Sequence, residues 1–417
     1  GGNMALGTME TLALPLTPIV YTTTPGAPPP DIVSYSYGMC EYLYWTGNTP
    51  AVTMSERMLA VATTTGMSFF VSSGDAGSSV CLGGGASEVT LASPSYPATS
   101  AWVTSVGGTA LTLNPDNSIG AEAVWNDALY PAPFYRRPLA SSGGTSALVG
   151  TDGLPMLPRP AWQTGTGVPA GDTRLNPDVA SFADTAPGWT VYCTTKGCAG
   201  EGLTGYGPVG GTSASSPQVA AMFALISQMA TAGGQPKPGF TAPLLYELGR
   251  AGGSNGLRDV TQGNNDVANT GCCNATPAWD IASGWGSMNA AAVAATVLGP
   301  PAPTDVVAEP GYLSAVLTFK QPASATPVMG YEYSIDGGAN WLYTPEWVGP
   351  PDYTSVKLDS VLPNGVAQQV MLRAVDVKKT PGVAAGPVAL AAPKGGLFRP
   401  ITPTRVFDSR TSHGTLV

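Results

Sequence analysis

With 417 residues, 43% hydrophobic and 11% charged side chains, 53 Gly and 40 Pro, the chain reads as loop-rich and globular rather than disordered, with two or three domains. Eighteen Lys and Arg against 27 Asp and Glu give a net charge of −9. Such a surface repels phosphate backbones, which argues against a nucleic-acid partner. No run of apolar residues is long enough for a transmembrane segment, and no basic-then-apolar leader opens the chain, so a secreted protein is expected to have shed its signal already.

In chain order, apolar β-branched runs at 19–21, 31–37 and 68–72 alternate with a helical stretch at 53–65. Strand, helix, strand is the pattern of a parallel sheet covered by helices. A later helix is expected at 216–230, with Pro217 in its first turn, where a missing N–H costs nothing. After Gly299 a Pro-rich junction leads to short alternating strands at 315–319, 331–335 and 370–375, separated by Asp336-Gly337-Gly338 and Pro363-Asn364-Gly365. This predicts an α/β domain over 1–300, a small all-β sandwich over 301–393 and a tail over 394–417.

Six Cys allow three disulfides. Cys193 and Cys198 bracket a short segment and are expected to pair. Cys40 and Cys81 both follow strand-like runs and form the second expected pair. The adjacent Cys272 and Cys273 have no assigned partner.

The strongest chemical motif is Gly210-Gly211-Thr212-Ser213-Ala214-Ser215-Ser216-Pro217, just before the buried helix. A Ser on a glycine-rich turn at a helix N-terminus is exposed, and the local dipole favours developing negative charge. Gly-Thr-Ser with Pro four residues after the Ser is shared by subtilisin-like and sedolisin-like peptidases. A Ser-His-Asp triad needs an imidazole, and the one His is His413. The sequence therefore resembles the sedolisins (serine-carboxyl peptidases of subtilisin-like fold), in which a Glu is the base, an Asp orients it and a second Asp stands at the oxyanion. Ser72-Ser73-Gly74-Asp75-Ala76-Gly77-Ser78 is similar to the oxyanion segment, and 95–109, 123–127, 141–146 and 176–184 follow in the family's order. The resemblance implies that Ser213 is the nucleophile and that Asp75 donates to the oxyanion when protonated. Taken alone, the Gly-Asp-Ala-Gly run also suits a simple Asx turn. A peptide substrate would lie across 141–146.

The resemblance further implies one Ca²⁺, held by the carboxylates of Asp259 and Asp280 and the carbonyls of Val260, Thr276 and Ala278; oxygen donors in a loop suit calcium. The family usually has Gly where Thr276 and Ala278 stand, which matters only if φ must be positive. YEYSIDGGANW and LPNGVAQQVMLRAVD resemble the fibronectin type III module, with Tyr331, Trp341 and Leu362 in its core. FRPITPTRVFDSRTSHG resembles the opening of a bacterial surface domain.

The family pattern breaks at the base. Counting back from Val20-Tyr21, the Glu-x-x-x-Asp positions fall on Gly1 and Ala5, or on Gly2 and Leu6 after a one-residue shift, and none accepts a proton. General-base catalysis contributes about 10²–10⁴-fold. Glu10, the one carboxylate in the first 30 residues, is rotated roughly 140° from Ala5 around a helix. Two readings stay open: a secreted pseudopeptidase in a cell-surface or extracellular assembly, with a protein, a peptide or a retained N-terminal fragment as partner, and an active acid endopeptidase.

Overall fold

The computed structural model describes residues 30–392, apart from 42–48, 82–92, 128–138, 150–154, 195–204, 233–234, 253–254, 268, 270, 325–326, 345 and 360–364. The expected strand at 19–21, the positions counted for the family's base and its orienting Asp, Glu10, Cys198, Leu362, Pro363 and Asn364 of the expected turn, and the tail from 394 lie outside the described residues. The chain divides into two compact units, Gly1–Val297 and Leu298–Val417.

In the first unit, β1 (Ile32–Tyr35), β3 (Ser68–Ser72), β5 (Thr104–Leu113) and β9 (Val179–Phe182) run parallel, and β6 (Ile119–Val124) pairs antiparallel with the far half of β5. Between these lie the short strands β2 (Met39–Cys40), β4 (Ser95–Tyr96), β7 (Gly144–Thr145) and β8 (Leu175–Asn176). Because successive side chains point to opposite faces of a strand, β3 serves two layers. Phe69 and Val71 join Tyr35, Leu59, Ala62, Met67, Ala98 and Val103 in a buried cluster with α1 (Thr49–Thr64). Phe70 faces the other way and stacks on Phe223 of α2 (Thr212–Ala232), with ring centroids 5.4 Å apart. A parallel sheet covered by helices on both faces is the architecture expected from the alternating pattern.

The helix expected at 216–230 begins four residues earlier, so Pro217 is not in its first turn. Proline cannot donate to the carbonyl four residues back, which here belongs to Ser213. That carbonyl instead accepts a hydrogen bond from Ser36 Oγ at 3.1 Å, so the proline does not leave it unsatisfied. Ser215 and Ser216 also turn inward, their hydroxyls donating to the carbonyls of Gly107 (2.9 Å) and Phe70 (3.0 Å). These bonds fix the first two turns of α2 to β5 and β3.

The first unit also holds buried charge. Arg174 and Asp178 are fully enclosed and form two parallel N–H···O bonds of 2.9 and 2.7 Å, and Ser105 N donates to the same carboxylate at 2.8 Å. Glu41 and Glu56 lie nearby, and burial raises both from 4.5 to about 7, against lowering hydrogen bonds from Thr99, Ala147 and Ser146 to Glu41 and from Ser100 and Tyr96 to Glu56. Cys40 and Cys81 are bonded, as expected. Cys193 is in a disulfide, and Cys272 and Cys273 are joined to each other. Among the described residues, no helix is long and apolar enough to cross a membrane.

The unit is completed by the hairpin β10 (Trp189–Cys193) and β11 (Gly205–Val209), α3 (Ala242–Ala251), and β12 (Leu257–Arg258) with β13 (Ser287–Met288) and α4 (Ala290–Val297).

The second unit consists of two antiparallel sheets. One orders β14 (Thr304–Pro310), β15 (Ser314–Lys320) and β18 (Thr354–Asp359). The other orders β17 (Leu342–Thr344), β16 (Val328–Ser334), β19 (Gln368–Asp376) and β20 (Ala385–Leu390). Alternate residues of both sheets, among them Leu317, Phe319, Tyr331, Leu358 and Leu372, share one buried cluster. Tyr331 is in this core as expected, but Trp341 is only half-buried, its ring covered by the Arg373 guanidinium at 4.0 Å. Arg373 is held in turn by Glu332 at 2.6 Å.

Candidate functional site

The first residues of α2 meet the turn that follows β3. Thr212 donates from both its backbone N–H and its Oγ1 to Asp75 Oδ1, each at 2.7 Å, and Thr212 Oγ1 accepts from Gly74 N at 3.0 Å. The first N–H groups of a helix have no partner within it, and here a carboxylate from another element supplies one at the positive end of the dipole. Gly211 makes this approach possible: its φ is +92°, and a Cβ there would stand 2.6 Å from Asp75 Oδ2. Two hydrogen bonds thus converge on Asp75 Oδ1.

Ser213 is the next residue, exposed at the start of the helix. Among the described residues its hydroxyl makes no hydrogen bond, to a carboxylate or to any other group; its carbonyl is held by Ser36. The structure thus brings Ser213 and Asp75 to one end of the sheet, as the motifs predict, through Thr212, a residue whose role was not anticipated.

The segment 141–146 is a support for that turn, and the expectation of substrate lying on its glycines is corrected. Ser142 Oγ accepts from Ala76 N at 3.0 Å and Ser142 N donates to Gly74 O at 2.9 Å. Gly143 and Gly144 are buried; a Cβ on Gly143 would strike the Ile281 carbonyl, and one on Gly144 would lie 3.1 Å from Pro94. These glycines are required by packing against protein, so they leave no open surface.

Two further acids lie behind the nucleophile turn. Gly211 N donates to Ala183 O at 2.6 Å, which places Asp184 beside the turn, and Asp127 accepts from Thr185 Oγ1 at 2.8 Å. Burial pushes the Asp184 carboxyl up, and neighbouring Asp127 adds to this. Neither bonds the Ser213 hydroxyl. Their proximity was not legible in the sequence because each lies in a separate segment.

The loop that the family resemblance assigns to calcium folds around both acids. Asp259 Oδ2 accepts from Ala278 N at 2.8 Å, and Asp280 Oδ2 accepts from Thr276 N at 2.9 Å, while Asp280 Oδ1 takes the N–H groups of Ala282 and Ser283. Burial raises the Asp280 carboxyl, against the hydrogen bonds it receives. Among the described residues the carbonyls of Val260, Thr276 and Ala278 accept no hydrogen bond, which leaves oxygen donors open beside two carboxylates. Ala278 has φ +69°, so the glycine usual there in the family reflects a real backbone requirement, which this chain meets with Ala. The all-oxygen set fits a hard cation. No three His, Cys, Asp or Glu side chains gather at one point among the described residues, so backbone oxygens would supply most of the ligands.

Comparison with known proteins agrees with this geometry. A family profile described as the Subtilase family matches residues 19–238. The chain is 33% identical over 265 residues to kumamolisin of Bacillus sp. (strain MN-32), covering 62% of this chain and 41% of that protein. It is 30% identical over 271 residues to sedolisin of Pseudomonas sp. (strain 101), covering 64% and 40%, and 30% identical over 258 residues to human tripeptidyl-peptidase 1, covering 59% and 39%. The chain spans about two fifths of the length of these relatives. Among solved structures, Pseudomonas sedolisin, a serine-carboxyl proteinase complexed with two molecules of pseudo-iodotyrostatin, superposes with a TM-score of 0.53 at 29% identity, over 64% of this chain and 65% of that one. A helix that starts on Gly-Thr-Ser against an Asp at the end of a parallel strand, in a chain whose profile match covers more than half its length, identifies the chain as a member of the subtilase family, with a sedolisin-like peptidase domain.

Proposed function

We propose that the chain is a secreted sedolisin-fold pseudopeptidase, a calcium-stabilised module of an extracellular or cell-surface assembly that engages a protein or peptide without cutting it. The observation that carries this reading is the Ser213 hydroxyl, which has no proton acceptor among the described residues, together with Gly and Ala or Leu at the positions of the family's base and its orienting Asp. A serine hydroxyl with no base beside it is a weak nucleophile. The calcium ion would be held by Asp259 and Asp280 with the carbonyls of Val260, Thr276 and Ala278, and it would cross-link the loop ends. The second unit is read as a fibronectin type III-like spacer; its two sheets and single shared core support that reading.

A second reading is favoured by one observation: the Thr212–Asp75 clamp is intact although no base is bonded to the Ser213 hydroxyl among the described residues. In that reading the chain is an acid serine-carboxyl endopeptidase. Ser213 attacks a peptide carbonyl, neutral Asp75 donates to the oxyanion, and a carboxylate from elsewhere takes the proton. Incubating the purified chain with denatured protein at pH 3–5, beside a Ser213→Ala variant, separates the two. No cleavage, or equal cleavage by both, supports the pseudopeptidase; cleavage lost only in Ser213→Ala overturns it.

A further inference from the structure

The disulfide between Cys272 and Cys273 does something the other bridges do not. A bridge that closes a long loop stabilises by restricting the unfolded chain, and the gain grows with loop length. Cys40–Cys81 spans 41 positions, whereas Cys272 and Cys273 are adjacent. Their bond closes a small ring around one peptide group, so its effect is local: it fixes the backbone of residues 271–274, where Gly271 (φ +78°) and Cys273 (φ +69°) both turn left-handed.

That fixed backbone is joined by successive contacts to the Asp75 turn. Cys273 O accepts from Asn265 N at 3.2 Å, Asn265 O accepts from Ser78 N at 2.8 Å, and Gly77 N donates to Ala140 O at 3.0 Å. Gly77 has φ +61°; a Cβ on it would strike Asn265 O and lie 2.8 Å from Val267. Asp266 ties the loop to itself and to the turn, accepting from Gly271 N at 2.7 Å and from Ser78 Oγ at 3.4 Å. Asn126 holds the loop's base through Asn264. Exposure distinguishes the bridges: Cys40, Cys81 and Cys193 are buried, while Cys272 and Cys273 are half-open to solvent.

We propose that the Cys272–Cys273 bond is a redox-sensitive strap that holds residues 264–267 and 271–274 against the turn carrying Asp75, and that a dithiol reductant opens it before the buried Cys40–Cys81 bridge. A thiolate of the reductant attacks one cysteine sulfur and breaks the S–S bond, and the reductant's second thiol then resolves the mixed disulfide. The cysteine pair gains two electrons and two protons, and the dithiol leaves as a disulfide. Only the consequence for the Ser213–Asp75 site rests on the functional reading above; the strap itself is a statement about backbone order.

The test treats the full chain with graded dithiothreitol, alkylates the thiols, maps them by peptide mass and follows amide hydrogen exchange. Cys272 and Cys273 are expected to be alkylated first, with exchange at Gly77 and Ser78 rising by about tenfold or more while β15 in the second unit is unchanged. A Cys272→Ser/Cys273→Ser variant should exchange fast at those amides without reductant and respond no further. Should that variant fail to fold, the reduction series on the unaltered chain decides alone. Prior reduction of Cys40–Cys81, or an opened Cys272–Cys273 bond with unchanged exchange at Gly77 and Ser78, overturns the strap. Ser213→Ala should respond as the parent does, so the outcome is independent of whether the chain cuts peptides.

Discussion

The two units hold their charges in opposite ways. In the first, ionisable groups lie inside: Arg174 and Asp178 fully enclosed, Glu41 buried, Glu56 beside them, Asp280 under its loop. In the second, Asp376 is the one fully buried carboxylate among the described residues, capping a turn by accepting from Lys378 and Thr380 N–H groups, and no Lys or Arg there is fully buried. Interior charge ties stability to proton and ion concentrations far more tightly than surface charge does. The two units of one chain should therefore answer pH in opposite senses.

The largest effect is expected from the enclosed ion pair. Asp178→Asn leaves Arg174 charged and without its counter-ion in the interior, which costs about 3–5 kcal/mol, and the first unit's melting transition should fall sharply in calorimetry while hydrogen exchange in β15–β19 stays put. A comparable loss in the second unit's strands would break the comparison.

Next comes the pair of raised carboxyls. Glu41 and Glu56 hold their protons to about pH 7 when folded, against an ordinary value of 4.5. The folded state thus binds more protons than the unfolded one between these values, so the stability they confer is complete below about pH 4.5 and is lost as pH rises towards 7. For Glu41 alone the span amounts to about 3 kcal/mol, and Glu41→Gln should flatten the first unit's melting temperature over that window. A parent melt that does not fall between pH 4.5 and 7 would count against the interior carboxyls.

Calcium removal is the third test. A ligand at about a hundredfold excess over its Kd adds about 2.7 kcal/mol, so EDTA should lower the first unit's melting temperature by several degrees, and Asp259→Asn should abolish the difference. Identical melts with and without EDTA would remove the ion from the reading.

The smallest effect belongs to the second unit. Asp336, fully exposed in the turn between β16 and β17, is held at about 2 by the Asn340 N–H, the Asn340 side chain and the Ser334 hydroxyl. Its lowered value gives stability that is present above 3.8 and is lost as pH falls through 2, the reverse of Glu41. Asp336→Asn should therefore blunt only the acid end of the second unit's profile, by a small amount; an effect at neutral pH would blur the contrast.

Where chemistry is written in consecutive residues, the sequence was readable. Gly210-Gly211-Thr212-Ser213 and Ser73-Gly74-Asp75 could be identified because the turns they make depend on local backbone freedom, and β3 and α1 because a short apolar run follows a longer helical stretch. What escaped was non-local. That Ser36 compensates for Pro217, that Thr212 grips Asp75, and that Glu41 goes inside are settled by tertiary neighbours. A Glu beside two aromatic residues and a Cys carries no sign of burial. Gly143 and Gly144 looked like room for a ligand because composition cannot tell a glycine facing a groove from one pressed against another backbone.

The clamp on the nucleophile turn also constrains the order of assembly. Asp75 precedes Thr212 by 137 positions and Ser36 precedes Ser213 by 177, and contacts between such distant segments form only after the long loop between them has closed. During synthesis the early strands must therefore wait for α2 to emerge before the contacts of Asp75 with Thr212 and of Ser36 with Ser213 can form, so the site is completed late.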